Sequence, residues 1–334
     1  MQLFQNILVG IDLARFGSPD GSGPSPNVLE PIQWGVQLAK LNAARLLFFS
    51  ASNLSDNALS LLAEEDRSYV LESIVRGGGK VLESLVQKAR EEGIKADCKL
   101  APGKGWLAII QQVLHGKHDL VVIGTRENPN LGHRLFGSTS MKLLRRCPCP
   151  VMVTKPSTFA SGILGAKVHR GPGMEASPLN ILVATNLQPP SEQALQMGIR
   201  LAQQTNAHLH ILHVVEYELH EVCNIGLPDA MQERYRAKVR ENADAVLQAQ
   251  LNTTDYKSLG KRLQVHLAGD VGLPDVAIQR FIEAHQIHLL VMGTIGRGGI
   301  RGIMIGNTAE RLLPEVHCSV LAVKPPDFVC PIDA

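Results

Sequence analysis

The chain has 334 residues, which at roughly 100–200 residues per domain points to two domains. Hydrophobic residues make up 45% and charged residues 19%, enough apolar surface for full cores and too little charge for a disordered chain. Lys and Arg total 33 against 31 Asp and Glu, and aromatics are 4%, so the chain shows neither the basic excess of a nucleic-acid or membrane-surface binder nor stacking platforms for single strands. The first residues carry no basic run, and no stretch approaches the ~18 apolar residues of a membrane helix, so neither a secretory signal nor a span is expected. Cys98, Cys147, Cys149, Cys223, Cys318 and Cys330 are scattered and contain no C-x-x-C, which suits a reduced, cytoplasmic protein. Cys147-Pro148-Cys149 reads as a turn entering a buried strand.

From the amino end, 7–11 reads as a strand, 17–26 as a Gly/Ser/Pro loop and 31–42 as a helix. A strand at 46–49 precedes a long helical region from 59 to 92. Gly77-Gly78-Gly79-Lys80 divides that region into two helices, because glycine costs about 1 kcal/mol in a helix interior. Strand 98–101, helix 106–115, strand 120–123, helix 138–145 and strand 151–154 follow. Lys142, Arg145 and Arg146 suit the carboxyl end of their helix through its dipole. After a Gly/Ser/Pro-rich linker at 157–178 the order repeats. It runs strand 181–184, a helix capped by Ser191 and ending near 204, strand 208–215, amphipathic helix 229–251 and strand 263–267. Helix 274–285 opens on Pro274, and strand 289–292, helix 307–316 and strand 319–323 complete it. Strands that are apolar throughout are buried on both faces, and their alternation with helices implies a mainly parallel, doubly wound sheet.

The repeat is explicit in the residues. A shift of 169 places Leu120-Val121-Val122-Ile123-Gly124-Thr125 on Leu289-Leu290-Val291-Met292-Gly293-Thr294, Gly137 on Gly306, Cys149 on Cys318 and Lys155-Pro156 on Lys324-Pro325. Asn6-Ile7-Leu8-Val9 matches Asn180-Ile181-Leu182-Val183 at a shift of 174. Two copies of one α/β fold follow: domain 1 at 1–156, the linker at 157–178, domain 2 at 179–326, and a tail at 327–334.

In open α/β sheets ligands sit beyond the carboxyl ends of the strands, at the switch point. In the second copy that place holds Gly293-Thr294-Ile295-Gly296-Arg297-Gly298-Gly299 and then Gly306-Asn307-Thr308 opening a helix. Glycines let backbone amides converge on an anion, and a helix amino terminus adds unpaired N–H groups. The same glycines can equally shape a turn and a helix cap.

The spacing Gly293-x2-Gly296-x9-Gly306, followed by Asn307, resembles the nucleotide motif G-x2-G-x9-G-[S/T] of the universal stress proteins. The words Asn180-Ile181-Leu182-Val183, Leu212-His213-Val214-Val215 and Cys318-Ser319-Val320-Leu321 agree with it. The resemblance covers nearly the whole chain, twice over, and is nearest to the tandem, UspE-type members. It implies two Rossmann-like (adenine nucleotide alpha hydrolase-like) units, each a five-stranded mainly parallel sheet with helices on both faces. The last strands, 151–154 and 319–323, would pair into an intrachain pseudo-dimer, and a homodimer is a further option. Carried over position by position, it places Ala184, Thr185 and Asn186 by the base and ribose, and Val214 by the adenine. Met292, Gly293, Gly296, Arg297, Gly306, Asn307 and Thr308 would surround ribose and phosphates. The ligand would be ATP or another adenine nucleotide, with Mg²⁺ as a possible companion. Domain 1 offers Asp12, Gly124, Gly137 and Ser138 as weaker candidates. The copies depart from the pattern differently: the second has Asn186 where binding members carry Asp, and the first has Glu127 where the middle Gly stands.

Gly132-x4-Gly137-Ser138-Thr139 lacks the Lys of a P-loop, no G-x-G-x-x-G follows a first strand, and no G-x-S-x-G elbow exists. His208 and His210 share a strand face and could join His213 or His220 on a metal. Their plainer reading is as half-buried strand and loop residues, and no metal ligand is assigned. No catalytic constellation is assigned either. The leading expectation is therefore a stress-response binding module with an adenine nucleotide in domain 2. The alternatives are a slow ATP hydrolase using Asp270 or Mg²⁺, and a nucleotide-free adaptor.

Overall fold

Short apolar strands alternate with helices throughout the protein. The computed structural model describes residues 2–16, 24–52, 60–125, 136–156, 178–217, 228–269, 273–294 and 305–333, excepting the side chains of 70, 71, 74, 75, 189 and 190. Two units are present, one of residues 1–176 with 327–334, the other of 177–299 with 305–326. Unit 1 contains β1 (Asn6–Gly10), α1 (Pro26–Asn42), β2 (Arg45–Ala51), α2 (Glu64–Glu91), β3 (Ala96–Ala101), α3 (Gly105–Gly116), β4 (Leu120–Gly124), α4 (Ser138–Arg146) and β5 (Val151–Thr154). Unit 2 contains β6 (Asn180–Thr185), α5 (Pro189–Thr205), β7 (His208–Val214), α6 (Asp229–Asn252), β8 (Leu263–Ala268), α7 (Pro274–Ala284), β9 (Leu289–Gly293), α8 (Asn307–Glu315) and β10 (Ser319–Val323).

Within each unit the strands are parallel, ordered β3-β2-β1-β4-β5 in unit 1 and β10-β9-β6-β7-β8 in unit 2. The order reverses between β1 and β4 and between β6 and β9, which makes those the switch points. Ile7, Leu8 and Val9 are all buried although successive side chains point to opposite faces, so both faces are covered. Val9 packs on Gly35 of α1, whereas Gly10, on the other face, lies against Ile109 of α3. Unit 2 repeats the first contact with Gly198 of α5 against Val183. A methyl group at Gly35 or Gly198 would strike the valine, so each helix lies against its sheet as closely as a missing Cβ allows.

Equivalent positions in the two units solve the same problem with different chemistry. The α3–α4 contact is held by the Trp106 ring, with Lys142 Nζ at 5.2 Å and the Arg146 guanidinium at 5.1 Å from its centroid. Shifted by 169, Trp106 and Lys142 become Asp275 and Arg311, and the α7–α8 contact is an ion pair at 2.9 Å. The start of β1 is pinned by Asp119, whose carboxylate accepts the amides of Gln5 and Asn6. Its counterpart His288 pins β6, with Nδ1 accepting the Asn180 amide at 3.0 Å. A ring nitrogen that accepts must be unprotonated, and burial lowers the proton affinity of His288 accordingly.

Three local expectations are corrected. The triple glycine does not break the helix: α2 runs unbroken from Glu64 to Glu91. Gly78 lies against Leu13, where a Cβ would collide, while Gly77 has open space, so one glycine is there for contact and the ladder continues through the rest. The helix expected at 31–42 begins at Pro26, and Pro31 sits inside it. Pro31 has no N–H for the carbonyl of Asn27, four residues earlier, and that oxygen packs over Gly124, where a Cβ would strike it. Ser191 is not the cap of α5. Gln188 is, and Pro189 takes the first turn with its preset φ, so the helix starts earlier than the serine suggests. Cys147 and Cys149 are buried where α4 hands over to β5, as the turn reading required.

Two outcomes follow from this packing. Gly198→Ala should destabilise unit 2 by about 1–3 kcal/mol through the forced shift of Val183, whereas Gly77→Ala, in open space within a helix, should stabilise unit 1 by about 0.5–1 kcal/mol; denaturant titration reads both. Acid should also act unequally. Burial lowers the proton affinity of His118 in unit 1 and of His210, His213, His266 and His288 in unit 2, His210 to about 4. The unfolded chain takes up these protons near pH 6.5 while the folded chain resists them. Stability is therefore retained above about pH 6.5 and lost as pH falls toward about 4. Hydrogen exchange followed from about pH 7.5 to about pH 5, corrected for intrinsic rates, should show unit 2 losing protection before unit 1.

Candidate functional site

Parallel strands all end on one side of their sheet, and in unit 2 the register brings the predicted residues together there. Ala184 of β6 lies between Met292 of β9 and Leu212 of β7, Thr185 pairs with His213, and Gly293 and Val214 end their strands. The Gly306 amide donates to the Thr294 carbonyl at 2.7 Å, which draws the start of α8 back against the end of β9. Gly306 is the N-cap, with extended backbone (φ −60, ψ 149) and no side-chain cap, and Asn307 and Thr308 are the first helical residues. The amide groups of the first turn of α8 therefore open at the same end of the sheet as Ala184 and Met292. Gly296 and Arg297 lie outside the described residues, as do Asp270 and Glu127.

The turn from β6 into α5 leaves the sheet at the same end. Leu187 sits in the left-handed region at φ 59. It is held there by local bonds: the Leu187 amide donates to Thr185 Oγ1 at 3.1 Å and the Gln188 amide to Asn186 Oδ1 at 3.1 Å. Ser191 Oγ donates to the Gln188 carbonyl at 2.9 Å and lies 2.8 Å from Thr185 Oγ1. Gln250 of α6 donates to the Leu187 carbonyl at 3.1 Å. Asn186, exposed, thus shapes the turn through a bond that Asp would make equally well. His213 Nδ1 donates to the Thr185 carbonyl at 2.9 Å. Burial lowers its proton affinity, against the opposing pull of that carbonyl and of Glu216.

Sequence reasoning missed Ser191, His213 and Gln250 as partners of this turn. Alternation along β7 places His213 on the face opposite His208 and His210, but its nearness to Thr185 depends on which strand pairs with β7. The suggested grouping of His213 with His208 and His210 on a metal is corrected by that alternation. His210 instead gathers with His266 and His285, and His220 lies outside the described residues.

In unit 1 the switch point between β1 and β4 is a cleft of about 770 Å³, counting its open mouth. It is lined by Gly10, Asp12, Arg15, Asn27, Ser50, Gly124, Thr125 and Gly137, among others. Asp12 precedes the short 3₁₀ turn Leu13–Arg15, and its carboxylate is 3.8 Å from Arg15. Gly137 is the N-cap of α4, as Gly306 is of α8. Ser138 is exposed, while Thr139 and Ser140 line the cleft. Gly124 borders it, and its lack of a side chain is required by the Asn27 carbonyl whatever the cleft holds.

Among the described residues no helix is long and apolar enough to cross a membrane. The universal stress protein family model matches residues 3–155 and again 179–324. The chain is 26% identical over 345 residues to universal stress protein E of Photorhabdus laumondii, covering 100% of this chain and 99% of that one. It is 24% identical over 346 residues to universal stress protein E of Escherichia coli K12, covering 100% and 98%. A crystal structure of a universal stress protein from Archaeoglobus fulgidus covers 96% of this chain and 98% of its own at 20% identity, with a TM-score of 0.62, a likeness of fold. Two Rossmann-like units, each matched by the same family along nearly its whole length, make this chain a tandem, UspE-type member of the universal stress protein family.

Proposed function

We propose that the protein is a stress-response binding module that holds one adenine nucleotide, ATP or a relative, at the carboxyl end of the unit 2 sheet. The observation that carries the reading is the convergence of Ala184, Met292 and Val214 at the strand ends with the uncapped amino terminus of α8 closed onto Thr294. Small and apolar side chains on one side suit a base and ribose, and amide donors on the other suit phosphate. Arg297 supplies a countercharge in this reading, and Mg²⁺, where bound, would ride with the phosphates. Among the described residues the groups that meet here suit holding a ligand, and this reading assigns none of them as a nucleophile, so it is a reading of binding rather than of fast turnover.

The unit 1 cleft supports a second, weaker site of the same kind, carried by Asp12 at the end of β1 and Gly137 at the start of α4. The repulsion expected from Glu127 places it behind unit 2 in affinity for a nucleotide.

Native mass spectrometry of the freshly purified chain, followed by melting with and without MgATP, tests both. The expected result is one adenine nucleotide per chain and, at a hundredfold excess over Kd, about 2.7 kcal/mol of stabilisation. Gly306 has a φ that any residue accepts, so Gly306→Glu puts a carboxylate at the phosphate end without backbone strain and should abolish the adduct. An adduct that survives Gly306→Glu but not Asp12→Ala would transfer the site to unit 1. No adduct and no shift would overturn the nucleotide reading.

A further inference from the structure

A second cluster in unit 2 lies away from the strand ends. His210 of β7, His266 of β8 and His285, which caps the carboxyl end of α7, face one another. Their ring centroids are 5.4 Å apart for His210–His266, 5.2 Å for His210–His285 and 5.5 Å for His266–His285. Phe281 of α7 closes the group, stacked on His285 at 3.8 Å and edge-on to His266 at 4.7 Å and to His210 at 5.7 Å. These four rings tie α7 to the strand pair β7–β8. The other packing there is thin: α7 buries only Ile278 and Ile282, and no residue of β8 is buried. β8 also ends the strand order, so its ladder is paired on one side alone. A sheet edge with few buried apolar contacts opens by itself before the rest of its unit.

The rings hold together while they are neutral. His210 Nδ1 and His266 Nε2 are 3.2 Å apart, a bond in which one ring donates and the other accepts. An imidazolium donates from both nitrogens and accepts at neither, so two charged rings have no bond to share. His285 donates through Nδ1 to the Phe281 carbonyl at 3.1 Å, which fixes its ring beside the other two. The charges around the pair repel a proton. His210 faces His208 on its own strand, His266 on β8 and His285 on α7, and His266 faces His285. On β6 the register partner of His210 is Leu182. Helix α6 and the turn before β8 add the cations Arg240 and Arg262, bonded to the carbonyls of Leu267 and Ala207, while Arg280 and Glu283 of α7 are exposed. Among the described residues no carboxylate draws a proton to either ring. Burial and then the neighbouring imidazoles lower the proton affinity of both, His210 to about 4. The device belongs to unit 2: strand register places Leu47 and Lys99 where His210 and His266 stand, and the shift of 169 places Gly116 where His285 stands.

We infer that His210, His266 and His285 form a proton-operated latch, which holds the α7–β8 edge of unit 2 closed while the three rings are neutral and releases it, ahead of β6 and β9, when they take up protons in mild acid. In the opened edge the rings meet water and charge near pH 6.5, whereas in the closed cluster they resist. Closure is therefore retained above about pH 6.5 and lost as pH falls toward about 4. The latch uses no residue of the nucleotide site and stands or falls separately from it.

The test is amide hydrogen exchange of the full chain, read by segment between about pH 7 and about pH 4.5 and corrected for intrinsic rates. Each proton taken up on opening raises the opening constant about tenfold per pH unit. Below about pH 6 the amides of β8 and of the last turn of α7 should lose protection more steeply than that, approaching ~100-fold per unit for the two protons of His210 and His266, and before those of β6 and β9. His266→Gln offers an uncharged amide to the His210 bond and should flatten the dependence to about tenfold per unit. His285→Asn, which keeps a donor for the Phe281 carbonyl, should move the loss to lower pH. His115→Gln, exposed on α3 of unit 1, should leave it unchanged. Nitrogen-15 spectra of the wild-type imidazoles add a measurement that needs no variant to fold: His210 should stay neutral in the closed edge to below about pH 5. Wild-type pH dependence in both cluster variants, simultaneous loss of protection throughout unit 2, or charging of His210 near pH 6.5 with the edge still closed would overturn the latch.

Discussion

The central strands of each unit are apolar on both faces, and everything else in the protein answers to that constraint. Ile7, Leu8 and Val9, like Ile181, Leu182 and Val183, leave no face for water, so helices must cover both sides of each sheet. Parallel pairing is what a covered sheet with helical crossovers permits, and parallel strands deliver all their carboxyl ends to one rim. The candidate ligand site is a consequence of that rim. Depth of burial along β1 and β6 also explains Gly35 and Gly198: helices seated directly on Val9 and Val183 leave no room for a methyl group between them.

Duplication preserved this geometry and relaxed the chemistry that maintains it. The cross-helix contact is a Trp106 ring under two cations in one unit and an Asp275–Arg311 ion pair in the other. The amide at the start of the first strand is accepted by a carboxylate in one and by a neutral imidazole in the other. Such exchanges hold position at room temperature and neutral pH yet respond differently to salt and acid, since an exposed ion pair is screened and an imidazole titrates. The two units are one fold with different environmental sensitivities. Their carboxyl rims diverge too, with Asp12 and Arg15 at one and Asn186, engaged in its own turn, at the other.

Much of this was legible in the residues. The double repeat, the strand–helix order and the family were carried by spacing, because a shift of 169 aligns Gly, Thr, Cys and Lys-Pro positions that packing and turns hold at fixed places. Local propensity misled where tertiary contact outweighed it. Three glycines read as a helix break, but α2 continues because its ladder and its packing outweigh roughly 1 kcal/mol per glycine, and Gly78 is needed beside Leu13. Pro31 read as a helix start, but it lies inside α1, where the carbonyl it leaves without an amide finds its place over Gly124. Ser191 read as a cap, but its hydroxyl ties the turn together from within the helix.

By itself the sequence determined the α/β class, the two copies and the family, because periodicity and spacing are local or repeat at one fixed distance. Only the tertiary structure decided which residues meet. His213 reaches Thr185, Gln250 reaches Leu187, and His210 gathers His266 and His285 through strand order, and strand order is set by how helices cross a sheet. Contacts between positions far apart in the chain leave no period in it. They follow from the burial of both faces of the sheet, and that burial is a property of the folded unit as a whole.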